Sequence, residues 1–391
     1  MTFPRFFHAA PSLRWCLVGA LALSVAACGG GDGYADPVPP STTSTLSASL
    51  SGDQEPTPTV TGALGTGTLT LTSPSRAVAG SIAFNGMTVT DAHVHIGEPG
   101  VNGAVIIPLT ETPAGSGTWT VPATTTLTEA QATAFSAGGL YFNVHSSENP
   151  GGEIRGQIGR QVFAAQMSAA QEVPTNNSAA IGNGLLSFDP VTKRFTARLT
   201  LTGLAATMAH IHTGVLGVNG PVTFPLTQIA AGSAIWVAAA DAALTDAQIA
   251  ALTAGGLYFN AHSTAFPGGE VRGQIGRNVA FASMNSAQEV PTNASVATGR
   301  GTLVVDPTTR AVSGGITLTG MTATMTHIHL GATGVNGAVI VPLADAGGGV
   351  WNVPAGAVFT AAQLKAYKQG NLYFNAHSAA FPGGEIRGQI R

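Results

Sequence analysis

The sequence predicts an all-β protein composed of three tandem Greek-key β-sandwich domains, each with one short helix. Three observations support this fold class. The same motifs recur at an interval of 117 residues, as His93, His210 and His327 show. The segments around these motifs are short, rich in Thr, Val and Ile, and bounded by Gly or Pro, which is typical of strands. Only 9% of the 391 residues are charged, and long amphipathic helices need more charge than that on the face that meets water.

The N-terminal segment predicts export to a bacterial cell envelope. Arg5 and Arg14 precede an apolar stretch over residues 15–26, and Cys28 follows it in the motif Ser-Val-Ala-Ala-Cys. This order is typical of a signal peptide, and its end resembles a lipobox, in which the cysteine carries a lipid anchor. We therefore predict a lipoprotein signal peptide over residues 1–28, with lipidation at Cys28 and attachment to the membrane through that lipid. The alternative is an ordinary signal peptide with an incidental cysteine.

The residues around Cys28 also bear on location and on cross-linking. Gly29 stands where an inner-membrane retention signal would place Asp, which favours an outer-membrane lipoprotein that faces the periplasm or the surface. Residues 29–45 are rich in Gly, Pro, Ser and Thr without periodicity, a composition typical of a flexible tether. Cys16 lies within the predicted signal peptide, so the mature chain would hold one cysteine and no intramolecular disulfide.

Three domains are expected after the tether, over residues 46–160, 161–277 and 278–391. A unit of this length exceeds the roughly 20 to 50 residues of a solenoid repeat and suits an independent domain. The linkers between the units are almost absent, so we expect neighbouring domains to touch. The net charge of −3 provides no basic surface, so nucleic acid is not an expected partner.

Within each unit the motifs predict elements in a fixed order. In the first unit, short strands are expected at GTGTLTL, AVAGSIAF, HVHIG and AVIIPL. A capping box, with Thr at the N-cap and Gln three residues later, then predicts a short helix that is closed by a glycine C-cap. The strands LYFNVHS and EIRGQI, joined by a Pro-Gly-Gly turn, complete the unit. The capping pairs of the three copies are Thr128 with Gln131, Thr245 with Gln248, and Thr360 with Gln363.

These motifs resemble the CHRD domain family, named for chordin. The resemblance rests on H-x-H-x-G with a following N-G, on the L-T-x-x-Q helix start of the family, and on Y-x-N-x-H followed by P-G-G-E-x-R-G-Q. It covers residues 46–391, although the first copy departs at its opening, which reads GDQEPTP where the others read AQEVPT. The resemblance implies a fold and an extracellular setting, without a defined activity.

A fainter resemblance, in architecture, is to copper/zinc superoxide dismutase, a Greek-key sandwich with H-x-H on one strand. The present repeats lack the paired cysteines of that family and show no clear zinc-binding Asp. Each copy has three histidines, which is too few for a two-metal site. Dismutase activity is therefore not expected.

Three histidines in each copy are candidate metal ligands. Residues i and i+2 of a strand face the same side, so His93 and His95 are expected to point together, and His145 from a second strand can converge on them. Three neutral imidazoles with an open coordination position suit zinc or copper. The alternative is a hydrogen-bonded scaffold, in which His93 caps the loop at residues 100–103. The hypothetical ligand sets are His93, His95 and His145; His210, His212 and His262; and His327, His329 and His377.

Neighbours of these histidines are candidate orienting or structural residues. Asn143 and Glu153 could orient the rings. Glu153 and Arg155 share one face of the last strand, where we expect mainly a partly buried ion pair that pins the strand. Asn102-Gly103 is expected to supply a turn with positive φ. The candidates over the three copies are Asn143, Glu153, Arg155, Asn260, Glu270, Arg272, Asn375, Glu385 and Arg387.

Catalytic motifs are missing from the sequence, which contains no nucleophile elbow, phosphate-binding loop or dinucleotide fingerprint. The sequence therefore favours a non-enzymatic, lipid-anchored module that binds an unknown protein or carbohydrate, mediates adhesion or is structural in the envelope. Tandem copies would raise the avidity of such binding. The alternative is a copper- or zinc-binding protein that uses one three-histidine site per repeat. With copper bound, such a protein could be redox-active.

Overall fold

The computed structural model describes residues 40–391, which form three consecutive β domains. The predicted signal peptide, the lipidation site Cys28 and most of the predicted tether lie outside the described residues. The first strand begins at Thr42, so the end of the predicted tether is part of domain 1, where Thr42 pairs with Ser73 and Thr45 with Thr70. Ser and Thr residues form a strand here because the backbone N–H and C=O groups of the neighbouring strand provide hydrogen-bond partners. Within the described part of the chain, no helix is long and apolar enough to cross a lipid bilayer.

Each domain consists of short strands, one α-helix and one turn of 3-10 helix after its first strand. Domain 1 contains β1 (Thr42–Ser51), β2 (Leu64–Ser73), β3 (Ala77–Asn85), β4 (Val89–Ile96), β5 (Val105–Pro108), β6 (Thr110–Glu111), β7 (Thr118–Thr120), α1 (Glu129–Ser136), β8 (Leu140–Ser146) and β9 (Ile154–Gln157). Domain 2 contains β10 (Gln161–Ser168), β11 (Ile181–Phe188), β12 (Phe195–Thr202), β13 (Met208–Thr213), β14 (Val222–Gln228), β15 (Ile235–Ala238), α2 (Asp246–Thr253), β16 (Leu257–His262) and β17 (Val271–Gln274). Domain 3 contains β18 (Asn278–Asn285), β19 (Thr298–Val305), β20 (Val312–Thr319), β21 (Ala323–Leu330), β22 (Ala338–Pro342), β23 (Ala344–Gly347), β24 (Val350–Asn352), α3 (Ala361–Lys368), β25 (Leu372–Ser378) and β26 (Ile386–Gln389).

Domain 2 shows the strand order in its simplest form. Its eight strands close into a barrel in the order β10-β11-β12-β15-β14-β13-β16-β17. Strands β13, β14 and β15 are successive neighbours, and β16 returns to lie beside β13, which is a Greek key. The predicted all-β class with Greek-key connections is confirmed. The two faces of the predicted sandwich are parts of one closed sheet in this domain.

Domains 1 and 3 differ from domain 2 at one strand. The counterpart of β14 is divided into β5 and β6 in domain 1, and into β22 and β23 in domain 3, which gives sheets of nine strands. In domain 1, β5 pairs with β4 and β6 pairs with β7. Between these two strands the N–H of Leu109 donates to the carbonyl of Ala92 at 2.9 Å. The order of neighbouring strands is therefore the same in all three domains.

The hydrophobic core of each domain lies on the inner side of its barrel-like sheet. In domain 1, Val94 of β4 and Phe142 and Val144 of β8 are completely buried there. The alternating residues of these strands, including both histidines of β4, therefore point outward. This outer face is also covered, because residues 97–103 and the segment after β1 fold across it. As a result, the outward side chain of Asn143 is buried too.

The three helices begin at the predicted capping boxes. In each helix the Thr hydroxyl accepts from the backbone N–H of the Gln three residues later, and the Gln side chain accepts from the backbone N–H of the Thr. After α1, Gly138 adopts a φ of +72°, which a glycine C-cap permits at no steric cost. These helix predictions are confirmed.

Neighbouring domains touch directly at their short connections. Arg160, at the end of domain 1, donates from Nε to the Ser187 hydroxyl of domain 2 at 2.8 Å. Arg277, at the end of domain 2, lies 3.2 Å from the Asp306 carboxylate of domain 3. Equivalent arginines at the ends of domains 1 and 2 thus bind the domain that follows.

Domain 3 also packs against domain 1, through α3. Lys368 Nζ lies 3.0 Å from Asp53 Oδ1, and these side chains are only 6% and 2% exposed. Lys365 forms a second, more exposed ion pair with Glu148. The contact explains part of the departure of the first copy from the other two, because both acidic residues are specific to domain 1. Alanine takes their places in the other copies, at Ala170, Ala287, Ala265 and Ala380.

Candidate metal centre

Two neighbouring strands place the three histidines of domain 1 on one outer face. His93 and His95 belong to β4, and His145 belongs to β8, where the register sets it opposite Asp91. Directly opposed residues of an antiparallel pair have their Cβ atoms about 4.5–5.5 Å apart. His145 is therefore a diagonal neighbour of His93, and the three rings meet outside the barrel. Domains 2 and 3 repeat this arrangement with β13 beside β16 and with β21 beside β25.

The ring nitrogens are close enough to share one ion. His93 Nδ1 lies 3.2 Å from His145 Nε2, and the corresponding distance is 3.3 Å in both other domains. Metal–nitrogen bonds of about 2.0–2.1 Å at tetrahedral angles place two ligand nitrogens about 3.3 Å apart. In every domain, one nitrogen from each of the three histidines lies within 4.8 Å of the other two. The structure thus brings all nine candidate ligands into three groups of three.

Backbone carbonyls fix the orientation of two rings in domain 1. His95 Nδ1 lies 2.9 Å from the Gly103 oxygen, and His145 Nδ1 lies 3.0 Å from the Pro150 oxygen. A carbonyl oxygen only accepts hydrogen bonds, so both Nδ1 atoms carry the proton and both Nε2 atoms keep a lone pair. Domains 2 and 3 have the same contacts. The loop-capping role considered for His93 therefore belongs to His95.

The remaining ring of domain 1 is oriented by a carboxylate. His93 Nε2 lies 3.1 Å from Asp91 Oδ2, which favours a proton on Nε2 and a lone pair on Nδ1. Three lone pairs then converge, from His93 Nδ1, His95 Nε2 and His145 Nε2. Lone pairs at this separation repel one another until a cation enters between them.

One histidine nitrogen in each domain is buried and has no hydrogen-bond partner. It is the Nε2 atom of the second histidine of each H-x-H motif, in His95, His212 and His329. Buried polar atoms are nearly always hydrogen-bonded, so an exception that recurs in three domains calls for a specific cause. A bound ion would use this lone pair and remove the exception.

Burial favours the neutral form of His95, His145 and the histidines of domains 2 and 3. It lowers the pKa of His95, and although the hydrogen bond to Gly103 opposes this effect, the nearby charges of His93 and Arg155 add to it. Burial also lowers the pKa of His145 and of the six histidines in domains 2 and 3. Because a metal binds the unprotonated imidazole, these shifts favour metal binding near neutral pH.

A stacked aromatic ring supports the second histidine of the motif. Tyr141 stacks on His95 with the ring centroids 4.9 Å apart and the planes inclined by 15°. The guanidinium of Arg155 lies over the Tyr141 ring, 3.4 Å from its centroid, as a cation–π contact requires. The Tyr141 hydroxyl accepts from the Gly103 N–H at 3.0 Å. These contacts tie His95 to the loop that covers it.

Arg155 holds this loop and does not pair with Glu153. Its guanidinium donates to the carbonyls of Val101 at 2.9 Å and Glu98 at 2.7 Å, whereas Glu153 accepts from the Thr61 hydroxyl at 2.5 Å. The predicted ion pair is wrong, because the planar fork of Arg155 fits two loop carbonyls while Glu153 binds the segment after β1. The equivalent residues Glu270, Arg272, Glu385 and Arg387 bind the matching segments of their own domains.

The covering loop takes its positive φ at Gly100 and not at Asn102-Gly103. Gly100 has a φ of +73°, so the position expected for the turn was wrong. Gly103 is needed for a different reason, since an added Cβ would lie 1.5 Å from the Ile96 oxygen. The sequence shows glycine at both positions but cannot tell a turn from a close approach of two backbones.

A buried glutamate near the start of each copy belongs to the same covered face, and sequence reasoning did not assign it a role. Burial raises the pKa of Glu55 and of Glu172 to about 7. The Asn260 amide donates to Glu172 at 2.7 Å, so this candidate orienting residue binds a carboxylate, as Asn375 does in domain 3. Their spacing could have indicated a shared role, because these glutamates recur every 117 residues, as the first histidine of each H-x-H motif does.

The fold and the site define a class of protein with three β-barrel-like domains, each of which carries a histidine cluster on its outer face. The family model of the CHRD domain matches residues 46–158, 163–275 and 280–390. These stretches make up most of the chain, which therefore belongs to the CHRD domain family in three tandem copies. A comparison with the curated proteins and with the solved structures gave no match. The three CHRD repeats indicate a binding or structural module.

Proposed function

We propose that each CHRD domain binds one copper or zinc ion through its three histidines, so that the chain holds three ions. The observation that carries the proposal is the buried Nε2 atom of His95, His212 and His329, which lacks a hydrogen-bond partner in all three domains. In domain 1 the ligand atoms would be this Nε2, His145 Nε2 and His93 Nδ1. Neutral imidazole nitrogens suit both metals.

The residues around the histidines prepare them for this role. Carbonyls accept the Nδ1 protons of His95 and His145, burial lowers the pKa of both rings, and Tyr141 and Arg155 hold the covering loop. Three protein ligands leave at least one coordination position for water or another small ligand. A zinc ion there would supply Lewis acidity, and a copper ion would supply redox chemistry.

A hydrogen-bonded scaffold accounts for only part of the geometry. In domains 2 and 3, a proton on Nδ1 of His210 or His327 could bridge the 3.3 Å to the opposing Nε2 atom. This arrangement leaves Nε2 of His212 and His329 buried without a partner. A metal ion satisfies that atom as well, which is why we favour it.

Metal analysis of the purified chain without a histidine tag tests the proposal. After loading with zinc or copper and removal of free metal, we expect about three ions per chain and a higher melting temperature, because the ion binds only the folded state. The His95→Gln variant should retain about two ions, with domains 2 and 3 as internal controls. Less than about one tenth of an ion per domain with either metal, together with unchanged melting, would contradict the proposal.

We also propose that the chain is exported and anchored in a bacterial envelope through a lipid on Cys28, where it acts as a non-enzymatic module. The apolar stretch and the Ser-Val-Ala-Ala-Cys motif support this location. Expression in a bacterial host with a labelled fatty acid should give a labelled, membrane-bound chain. The Cys28→Ala variant should carry no label. Label on the variant, or an unlabelled wild-type chain, would contradict the lipid anchor.

A further inference from the structure

The three metal sites differ at one position on their rim. The residue two places before the first histidine is Asp91 in domain 1, Met208 in domain 2 and Met325 in domain 3. Because alternate residues of a strand share a face, this residue lies on the same side as the histidines of its strand. The register also sets it opposite the third histidine, His145, His262 or His377. It therefore adjoins two of the three ligands in every domain.

In domain 1 this position adds negative charge to the site. Asp91 Oδ2 contacts His93 Nε2 at 3.1 Å, and such a carboxylate–imidazole pair fixes the ring and makes it a stronger donor. A carboxylate close to the ligands attracts a divalent ion more strongly than a monovalent one. This carboxylate therefore favours a divalent ion in domain 1.

In domains 2 and 3 the same position carries a thioether instead. Met208 and Met325 are each 47% exposed, so they contribute little to the core. Their Cβ atoms stand about 4.5–5.5 Å from those of the opposed histidines, and an unbranched side chain with three rotatable bonds can turn its sulfur toward that site. Thioether sulfur is a soft ligand that selects copper(I). The absence of a carboxylate also favours copper(I) over a divalent ion. A carboxylate attracts a monovalent ion less strongly, so a monovalent ion loses less when the carboxylate is missing.

We propose that the sites of domains 2 and 3 are copper(I) sites with three histidines and one methionine, and that the site of domain 1 prefers a divalent ion, zinc above all. This inference rests on the proposed function, since it assumes that the histidines bind metal. The chain then carries two kinds of site on one scaffold. Position 91 and its equivalents determine which ion each domain takes.

Anaerobic copper(I) titration of the full chain against a competing chelator, with X-ray absorption on the loaded protein, tests this assignment. The wild-type chain should bind two copper(I) ions tightly and show a sulfur shell. The double variant Met208→Leu/Met325→Leu keeps the apolar volume and removes both sulfurs, so the shell should vanish. Its copper(I) affinity should fall on the order of tenfold or more, by a larger factor than its zinc affinity.

The reverse substitution is the matched gain-of-function variant. Asp91→Met should raise the number of tightly bound copper(I) ions from two to three and weaken zinc binding in domain 1. If the wild-type chain binds metal but shows no sulfur shell, and the double Leu variant retains its copper(I) affinity, the methionine assignment is overturned while the histidine sites stand. If the wild-type chain binds neither metal, the proposed function falls together with this inference.

Discussion

At the scale of single residues, His95 shows how little freedom the candidate site leaves to its ligands. Its Nδ1 is held by the Gly103 carbonyl, one face of its ring is stacked with Tyr141, and its Nε2 is buried without a partner. The ring cannot turn over without losing the carbonyl contact. A site that is held this way before the ion arrives needs little rearrangement to bind it.

Gly103 is the residue on which this preorganisation depends most directly. The Gly103→Ala variant would place a Cβ 1.5 Å from the Ile96 oxygen, so the covering loop must shift and release His95. We expect a loss of stability of about 1–3 kcal/mol in denaturant unfolding and weaker metal binding by domain 1. Gly151→Ala is the matched control, because an added Cβ there meets nothing within 4 Å. Equal effects of the two variants would contradict this role of Gly103.

Glu55 should make the metal-free protein sensitive to pH. Burial raises the pKa of this carboxyl to about 7 from its ordinary 4.5, so between these pH values the folded state holds a proton that the unfolded state has released. Stability contributed by the protonated group is therefore present below about pH 4.5 and is lost as pH rises to 7. The loss amounts to up to about 3 kcal/mol.

The Glu55→Gln variant tests this assignment, since it keeps a neutral side chain at every pH. We expect its melting temperature to exceed that of the wild type at pH 8, and the difference to shrink as the pH falls toward 4.5. Thermal melts of both metal-free proteins over this range give the comparison. A difference that does not change with pH would show that Glu55 is not protonated in the folded state near pH 5.

At the scale of elements, the site is a product of register between two strands. The pairing of β4 with β8 sets His145 opposite Asp91, and a shift of one residue would turn His145 toward the barrel interior. The helix that precedes β8 helps to place that strand, because α1 ends only four residues before it begins. The capping box of α1 is therefore expected to matter for the order of the site as well as for the helix.

Removal of the N-cap hydroxyl measures this contribution. Thr128→Ala deletes the acceptor of the Gln131 N–H and should cost about 1 kcal/mol of unfolding free energy. Thr133→Ala, at an exposed position within the same helix, should be neutral or slightly stabilising because Ala has the highest helix propensity. Chemical denaturation of both variants provides the test. A larger cost at Thr133 than at Thr128 would contradict the capping role.

The elements and the site differ in how far the sequence predicts them. The alternation of β4 predicts that His93 and His95 share a face, and the Thr–Gln spacing predicts the helix starts, because both depend on local geometry. The partner of Arg155 was not predictable, since the loop carbonyls that it binds lie more than 50 residues away in the chain. The role of Gly103 was hidden for the same reason, because it depends on where the loop returns to β4.

At the scale of the whole molecule, the three domains are in contact with one another. Two of the three lysines in the chain lie on α3 and meet acidic residues that only domain 1 has. The copies therefore differ from one another where domains 1 and 3 meet. An interface with matched charges fixes the relative positions of the histidine sites, which bears on any partner that would contact more than one of them.

The buried pair between Lys368 and Asp53 should be the main link in this interface. Lys368→Ala leaves the carboxylate of Asp53 buried without its cation, and the loss of one partner of a buried pair costs about 3–5 kcal/mol. We expect calorimetry to show separate melting of domains where the wild type melts jointly. Lys365→Ala breaks the exposed pair with Glu148 and should cost less than about 1 kcal/mol. Identical melting profiles for the two variants would contradict the interface.

The central claim, that each domain binds a metal ion through three histidines, is tested most directly by anomalous X-ray scattering from crystals of the zinc-loaded chain. We expect three anomalous peaks, each about 2.0–2.1 Å from one nitrogen of every histidine in its group. In domain 1 these atoms are His93 Nδ1, His95 Nε2 and His145 Nε2. Crystals of the loaded chain in which His93 and His145 share a hydrogen bond, His95 Nε2 stays unpaired and no peak lies between the rings would contradict the claim.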